Sequence, residues 1–262
     1  MTAFFNRNVM KIRFLGTGTS TGVPQIGCRC EVCTSDDFRD SRLRSSVRIE
    51  VNDKILQIDC SPDFRQQVTG LQFKKIDGIL LTHEHYDHVG GLDDLRPFSR
   101  FGSVDLYMED YLADVLIERL PYCFSPQPYK GAPDLRLNRI DDKKDFYIGD
   151  IKVTPIRVMH YRLPILGFRI NNFAYLTDVK TIPDSEFEKL EGLDTLVISA
   201  LRKTEHISHQ TLDEALRVSE KINPKRVFFL HMSHEMGLHA NIEKELPENV
   251  FFAFDGLEIE IF

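Results

Sequence analysis

The densest group of metal-binding side chains is the segment His83-Glu84-His85-Tyr86-Asp87-His88. Three imidazoles and an aspartate within six positions suit a borderline divalent ion. If a strand ends before this segment and a helix follows, alternate side chains can point towards two different ions. The segment therefore predicts a metal site. A polar surface turn that happens to contain three histidines is the weaker interpretation.

A second group consists of cysteines. Three of the five cysteines fall within six positions, at Cys28, Cys30 and Cys33. An odd cysteine count, and a start of the chain that does not resemble a secretory signal, favour metal ligands over disulfides. A closed structural zinc site needs a fourth ligand, and His234, three residues after His231, is the candidate. Unligated thiols are the alternative for the triplet, and Cys60 and Cys123 are expected to be unligated.

The elements that must position these side chains alternate between strands and helices. Apolar or alternating runs bounded by turn residues predict strands at 10–15, 46–51, 54–59, 79–81, 104–108, 152–159, 165–170, 173–176, 193–199, 226–230, 250–254 and 257–262. Helical spacing predicts helices at 110–120, 184–190 and 212–222. The alternation indicates an α/β fold with sheets covered by helices.

Two connections have recognisable turn chemistry. Asn52-Asp53 predicts a hairpin turn between two strands. The segment 121–133 contains four prolines and is expected to be a loop, either a lid or a plain surface connection.

The motif His83, His85, Asp87 and His88 resembles the H-x-H-x-D-H motif of metallo-β-lactamase-fold hydrolases. The resemblance implies an αββα sandwich with a dinuclear metal site at its edge. It also implies three later ligands that each follow a strand, at His160, Asp178 and His231. By this analogy one ion is held by His83, His85 and His160. The other is held by Asp87, His88 and His231, with Asp178 as the bridge. Asp59 matches a position that supports the ligands without binding metal itself.

Two further segments narrow the resemblance. The stretch 15–24, followed by the cysteine triplet, and the segment His231-Met232-Ser233-His234 resemble the branch of this fold typified by the cyclic phosphate phosphodiesterase of the carbon–phosphorus lyase pathway. That branch pairs a structural zinc, held by three cysteines and a histidine, with a dinuclear site that often holds manganese. The stretch 15–24 lacks the pattern of a P-loop, although a turn that lends backbone N–H groups to a phosphate stays open.

The implied reaction is hydrolysis of a small or cyclic phosphodiester, such as a phosphoribosyl 1,2-cyclic phosphate, by a hydroxide shared between two manganese or zinc ions. Asp87 is counted as catalytic as well as a ligand. His209 is the candidate that protonates or stabilises the departing oxygen, because a helix begins two residues later, and His206 is its competitor. His239 has no assigned role and is expected to be solvated at the start of a helix.

Length and charge limit the remaining choices. A chain of 262 residues favours a single domain over 1–262, and a net charge of −7 disfavours binding by phosphate neutralisation without excluding nucleic acid. A tRNA 3′-processing endoribonuclease and a non-catalytic metal-binding scaffold therefore stay as alternatives. No apolar run approaches a membrane span. We expect a cytoplasmic protein with a small-molecule phosphodiester substrate and no membrane partner, and a homodimer is left open.

Overall fold

The computed structural model describes residues 9–125 and 129–262, and the strands in these ranges form two seven-stranded sheets. Their bounds are β1 Met10–Gly16, β2 Ser46–Val51, β3 Lys54–Ile58, β4 Gly78–Leu80, β5 Val104–Glu109, β6 Leu135–Ile140, β7 Phe146–Ile148, β8 Ile151–His160, β9 Leu163–Ile170, β10 Phe173–Leu176, β11 Thr195–Ser199, β12 Arg226–Leu230, β13 Val250–Phe252 and β14 Glu258–Ile261. The strand orders are β14-β1-β2-β3-β4-β5-β6 and β13-β12-β11-β10-β9-β8-β7.

Helices cover the outer faces of the sheets. The α-helices are α1 Phe64–Val68, α2 Tyr86–Val89, α3 Asp110–Arg119, α4 Pro121–Phe124, α5 Leu212–Ile222 and α6 His239–Ile242. Shorter or tighter 3-10 helices occupy Phe38–Asp40, Leu92–Phe101, Asp184–Leu190, His234–Met236 and Glu243–Glu245. None of the helices in the described residues is long and apolar enough to cross a membrane.

The two sheets pack face to face through a continuous apolar layer. In β2, Val47, Ile49 and Val51 point into this layer because side chains alternate along a strand. Phe14 of one sheet meets Phe228 of the other with ring centroids 5.7 Å apart. Each such buried side chain contributes roughly 1.5–3 kcal/mol of transfer free energy. Two further apolar clusters lie between the sheets and their outer helices, so the predicted αββα sandwich is confirmed.

The strands that end near the predicted site residues run in the same direction within each sheet. In the first sheet β3, β4, β5 and β6 are parallel, and in the second β10, β11, β12 and β13 are parallel. Strand β8 shares that direction because both β8 and β10 are antiparallel to β9. Parallel strands bring their carboxyl ends to one edge of a sheet, which is where the site residues follow.

Several sequence predictions need correction. Strands β6 and β7 were not predicted, because β6 exposes charged residues at an edge of its sheet and β7 has only three residues. Segment 121–133 is not wholly a loop, since α4 begins it with a proline at the first helical position, where no N–H is needed. Residues 126–128 of that segment, and residues 1–8, on which the expectation about a secretory signal depends, lie outside the described residues. The predicted helix at 184–190 is a 3-10 helix.

The predicted hairpin and the longest predicted helix agree with the structure. Asn52 and Asp53 both adopt left-handed backbone angles, with φ of 49° and 58°, as a tight hairpin turn requires. Helix α5 begins after Thr211, whose side chain accepts from the N–H of Glu214 while the Glu214 carboxylate accepts from the N–H of Thr211.

Candidate metal centres

The candidate ligands of the main centre follow the carboxyl ends of strands from both sheets. His83 to His88 follow β4, His160 ends β8, and Asp178 and His231 follow β10 and β12. Asp178 and His231 have left-handed backbone angles, with φ of 54° and 59°. This conformation is uncommon outside glycine. It turns the chain sharply at the strand end, so the two side chains point across the edge of the sandwich towards the segment after β4.

One half of the centre surrounds the carboxylate of Asp178. Its Oδ2 lies 3.1 Å from Nε2 of His88 and 3.3 Å from Nε2 of His231. Asp87 completes this half, with its Oδ2 3.2 Å from Nε2 of His88 and 3.5 Å from Nε2 of His231. Asp87, His88 and His231 thus bring three ligand atoms within 4.8 Å of one another.

The other half contains His83, His85 and His160. The ring centroid of His85 lies 4.5 Å from that of His83 and 5.2 Å from that of His160, and the centroids of His83 and His160 are 5.7 Å apart. His83 is fully buried and also forms a compact triad with His88 and Asp178. His85 belongs to none of the compact triads found in the described part of the chain, and its side chain is exposed. The structure therefore brings all seven predicted residues together, with Asp178 between the two halves.

Buried polar groups fix the orientation of these imidazoles. His88 Nδ1 lies 2.6 Å from Oδ2 of Asp59, which was predicted to support the ligands. The backbone N–H of Thr82 donates to Oδ1 of Asp59 at 2.9 Å, and the hydroxyl of Thr82 lies 3.0 Å from Nδ1 of His83. His160 Nδ1 donates to the carbonyl of Ser208 at 2.9 Å. In each of these three histidines the contact suits a proton on Nδ1, which leaves Nε2 of the neutral ring free to bind a metal ion.

The charges of the cluster are strongly coupled. Burial lowers the pKa of His83 well below its ordinary value and lowers the pKa of His160 as well, which keeps both rings neutral. Burial alone would raise the pKa of Asp178, but the neighbouring imidazoles of His231 and His88 lower it well below its ordinary value. Burial would also lower the pKa of His88, yet the carboxylates of Asp87, Asp178 and Asp59 raise it far above the ordinary histidine value. The site thus stabilises a positive charge between these carboxylates.

The donor set fits divalent metal ions. The Nε2 atoms of His83, His88 and His231 are buried and form no well-aligned hydrogen bond, although those of His88 and His231 lie 3.1–3.5 Å from carboxylate oxygens. Buried polar atoms without partners are costly unless another group satisfies them. Neutral imidazoles and carboxylates in this arrangement are the ligands that zinc, manganese and iron prefer. A divalent ion would supply both the missing partners and the positive charge.

His209, the predicted helper, lies beside this cluster. Its Nδ1 is 3.6 Å from Oδ1 of Asp178, and its ring centroid is 4.6 Å from that of His160. It forms a compact triad with those two residues, so its position also allows metal binding. Burial lowers the pKa of His209 to about 3, so the ring is neutral near pH 7. The ring of the competitor His206 is tilted against that of His209, with centroids 5.0 Å apart, and lies farther out, next to Ser208.

The cysteine triplet and His234 form a second candidate centre, as predicted. The four ligand atoms lie within 4.8 Å of one another, and Nδ1 of His234 is 3.6 Å from the sulfur of Cys28 and 3.3 Å from that of Cys30. A hydrogen bond from the backbone of Cys33 lowers the pKa of Cys30 to about 6, which favours the thiolate that binds zinc. Burial raises the pKa of Cys33 to about 11, so zinc binding there would release a proton.

Cys60 and Cys123 lie apart from this centre. Both are buried in the apolar layer between the first sheet and its helices.

The loop after β1 connects the two centres. The N–H of Met232, between His231 and His234, donates to the carbonyl of Thr17 at 3.1 Å, and the N–H of Thr19 donates to the carbonyl of Met232 at 3.0 Å. The N–H of Gly18 donates to Leu43. The N–H groups of Gly18 and Thr19 are therefore already bonded within the protein, which disfavours the idea that they bind a phosphate.

His239 was expected to be solvated, and this was wrong. It does begin α6, but it is fully buried. Its Nδ1 accepts from the guanidinium of Arg42 at 3.0 Å, and its N–H donates to Asp40 at 2.7 Å. Arg42 is itself buried and also donates to Thr17 and Ala253. A buried arginine needs acceptors around it, and His239 is one of them.

Sequence reasoning missed some residues around the site. Thr82 and Ser208 were not singled out, although each directly precedes a predicted site histidine. Lys180 was also missed. Its ammonium lies 3.3 Å from the carbonyl of His209 and 3.1 Å from both carboxylate oxygens of Glu214, so it ties the His209 segment to α5. Its position two residues after Asp178 was the available signal.

Comparison with known proteins identifies relatives over most of the chain. The family model described as "Beta-lactamase superfamily domain" matches residues 55–232. A solved structure described as a new diphosphatase from the PhnP family superposes on this chain with a TM-score of 0.90 and 39% sequence identity. The superposition covers 97% of this chain and 97% of that one. The human short-form tRNase Z superposes with a TM-score of 0.70 at 19% identity, over 95% of this chain and 98% of that one. At that identity the match shows the fold alone.

A curated protein of Porphyromonas gingivalis named octanoyltransferase is 43% identical over 251 residues. The match covers 95% of this chain but 51% of that protein. The chain therefore spans about half the length of this relative.

Proposed function

This chain belongs to the beta-lactamase superfamily and, within it, to the PhnP family, and on this premise we propose that it is a dinuclear metal-dependent phosphodiesterase for a small or cyclic phosphodiester. The observation that carries the proposal is the carboxylate of Asp178, which lies between the two groups of histidines and within 3.3 Å of both His88 and His231. A shared carboxylate suits a pair of oxygen-preferring ions, manganese or zinc.

The residues that would hold the ions fall into two sets. His83, His85 and His160 would hold one, Asp87, His88 and His231 the other, and Asp178 would contact both. When bound, two such ions lower the pKa of a water molecule and neutralise charge on phosphoryl oxygens.

The chain's own groups keep the ligands in the form that binds metal. Asp59 accepts the Nδ1 proton of His88 and the carbonyl of Ser208 accepts that of His160, so Nε2 of each faces the centre. His209 would act on the departing oxygen. Because its ring is neutral near pH 7, we expect it to stabilise that oxygen by donating an N–H hydrogen bond rather than by acting as an imidazolium acid.

Hydrolysis of a diphosphate is the second candidate, because the PhnP-family relative is described as a diphosphatase. Its phosphorus–oxygen bond could be cleaved by the same groups. A tRNA substrate is less favoured for two reasons. The likeness to tRNase Z is limited to the fold, and the net charge of −7 disfavours binding to the phosphates of a nucleic acid. A cytoplasmic location and a small-molecule partner remain part of the proposal, and the homodimer stays open.

The test is hydrolysis by the metal-loaded chain of four substrates: bis-p-nitrophenyl phosphate, a 2′,3′-cyclic nucleotide, a nucleoside diphosphate and a precursor tRNA. We expect the first two to be cleaved. Asp178→Asn should abolish cleavage, whereas the exposed Asp184→Asn should not change it. Cleavage of the diphosphate alone or of the tRNA alone would overturn the proposal, and cleavage of none would favour a non-catalytic scaffold.

A further inference from the structure

A cavity of about 730 Å³ opens on the outer face of the first sheet, between α1 and the 3-10 helix Leu92–Phe101. Its size is typical of a small-molecule site. None of the metal-ligand residues described above lines it. Its apolar walls come from both helices and from the segment after α1, through Phe64, Val68, Leu71, Phe73, Pro97 and Phe98.

A buried arginine also lines this cavity. Arg48 is on β2 and points outward, opposite to its neighbours Val47 and Ile49 in the inner core. It is 6% exposed, and its Nε faces the carboxylate of Glu50, which leaves the two Nη groups of the guanidinium without an anionic partner in the described residues. Its ion-pair partner is Glu50 at 3.1 Å, whose side chain is 47% exposed. An arginine stays protonated in proteins, so a buried guanidinium with one half-exposed partner is a positive charge that can accept a second anionic partner.

The other charged groups in the lining partly offset one another. Asp93 is 2.7 Å from the guanidinium of Arg96 and accepts from the hydroxyl of Tyr122 at 2.6 Å. Asp94 and Arg65 add one charge of each sign. Arg48 differs from these groups because it is the buried one, away from solvent screening.

Some aromatic side chains at and beside the cavity are partly exposed to solvent. The ring of Phe73 packs against Phe98 at 4.9 Å and against Phe101 at 5.1 Å. Phe73, which lines the cavity, is 44% exposed, and Phe101, which packs on it from outside the lining, is 39% exposed. Large exposed apolar groups next to a cavity often mark a binding site.

We propose that this cavity binds a small carboxylate with an aromatic or aliphatic body, whose carboxylate pairs with Arg48 and whose apolar part packs between Phe64, Phe73 and Phe98. The arrangement combines apolar walls with one buried, donor-rich group, which fixes the orientation of a ligand in such sites. The site is separate from the metal centres, so it does not depend on the proposed hydrolytic activity.

The experiment is calorimetric titration of the full chain with 4-phenylbutyrate, with its neutral amide and with acetate. We expect 4-phenylbutyrate to bind. The amide should bind at least about tenfold more weakly because it loses the charge-assisted hydrogen bonds to Arg48, and acetate should also bind at least about tenfold more weakly because it lacks the apolar body that fills the cavity. Arg48→Met should weaken 4-phenylbutyrate to the level of the amide. Arg13→Met is the matched control. Arg13 lies opposite Arg48 in the register of β1 and β2, but it is ion-paired with Glu258 and does not line the cavity. It should leave binding unchanged.

A second variant keeps the test decisive if Arg48→Met does not fold. Leu71→Trp should fill the cavity and weaken the acid and the amide together. The proposal is overturned if folded wild-type protein binds 4-phenylbutyrate no better than acetate, if folded Arg48→Met binds it as tightly as wild type, or if Leu71→Trp has no effect. Metal content and phosphodiester cleavage, measured on the same samples, report on the metal centres independently.

Discussion

His209 is the residue whose role can be separated most clearly from metal binding. It lies within reach of Asp178 and His160, so it could be a helper in the reaction or a ligand. We expect His209→Ala to keep its metal content and lose turnover by about 10²–10³-fold, the usual cost of removing one hydrogen-bond donor to a developing oxyanion. Metal analysis beside steady-state kinetics checks this.

His206→Ala is the matched control for that variant, since the ring of His206 contacts His209 but lies farther out. We expect a much smaller loss of turnover. Loss of metal from His209→Ala would make His209 a ligand, and unchanged turnover would remove it from the reaction.

Asp59 allows a prediction about a residue that supports a ligand without contacting metal. Its carboxylate accepts from His88 and Thr82. Asp59→Asn should weaken active-site metal binding by about 10–100-fold, because the charge that holds the His88 ring is lost. Competition with a chelating indicator measures this. Asp63→Asn is the control, because Asp63 lies in the same loop but pairs with Arg44. Equal losses in both variants would contradict the role of Asp59.

The types of the ligands were predictable from the sequence, but their surroundings were less so. Asp178 and His231 stood out because each follows an apolar strand. Their left-handed backbone angles could not be predicted, because aspartate and histidine adopt this conformation more often than most residues but still far less often than the extended one. The hydroxyl of Thr82 contacts His83, and the carbonyl of Ser208 contacts His160. Neither contact has a recognisable pattern in the sequence, and the second joins segments that are far apart in the chain.

At the scale of elements, Gly91 holds α2 against the loop after β3. Its N–H donates to the carbonyl of Cys60, and a Cβ at this position would lie 2.0 Å from the carbonyl oxygen of Ser61. Gly91→Ala should therefore separate His88 from Asp59 and lower the free energy of unfolding by roughly 1–3 kcal/mol or more. Urea unfolding measures this.

Gly192→Ala is the comparison for Gly91. Gly192 has a φ of 69° but open space around its Cβ position, so it tests backbone strain alone, about 1–2 kcal/mol. It should keep its affinity for metal, whereas Gly91→Ala should lose affinity. If both variants retained the same metal affinity, the role of Gly91 would be wrong.

The cysteine loop and the 3-10 helix His234–Met236 contact each other at the second candidate centre. Cys30→Ser should lower zinc content by about one ion per chain and lower the free energy of unfolding by more than about 2 kcal/mol, because a structural zinc contributes folding energy. Elemental analysis and thermal unfolding check this. Cys123→Ser should retain its zinc, since Cys123 lies in another apolar cluster. A folded Cys30→Ser variant with unchanged zinc would contradict the structural assignment.

Elements with a strong internal pattern were predicted well, and edge elements were not. Helix α5 has apolar residues at helical spacing and a capping box, and its predicted bounds agree with the structure. Strand β6 lies at a sheet edge and exposes Arg136 and Arg139, so it lacks the apolar alternation by which strands are recognised.

For the whole molecule, the αββα class followed from alternating strands and helices together with the family resemblance. The pairing of segments far apart in the chain did not follow. Strand β14 lies beside β1 although they stand at opposite ends of the sequence. Arg42 likewise contacts His239 although 197 positions separate them in the sequence. Such contacts depend on how the layers close, which no local spacing encodes. This is why His239 was placed in solvent when it is buried.

Both candidate metal centres take a candidate ligand from the same four-residue segment. His231 and His234 flank Met232 and Ser233, and the backbone of Met232 is fixed at both its N–H and its carbonyl by Thr17 and Thr19. Because this backbone is already held, binding at one centre acts on the other through the freedom left in the side chains of His231 and His234. Thermodynamic reciprocity then requires each centre to raise the affinity of the other by the same factor, typically about 5–150-fold. Manganese titrations with the zinc centre filled and emptied, and zinc titrations with and without manganese, should give equal factors above one. A factor of one would show that the two centres load independently.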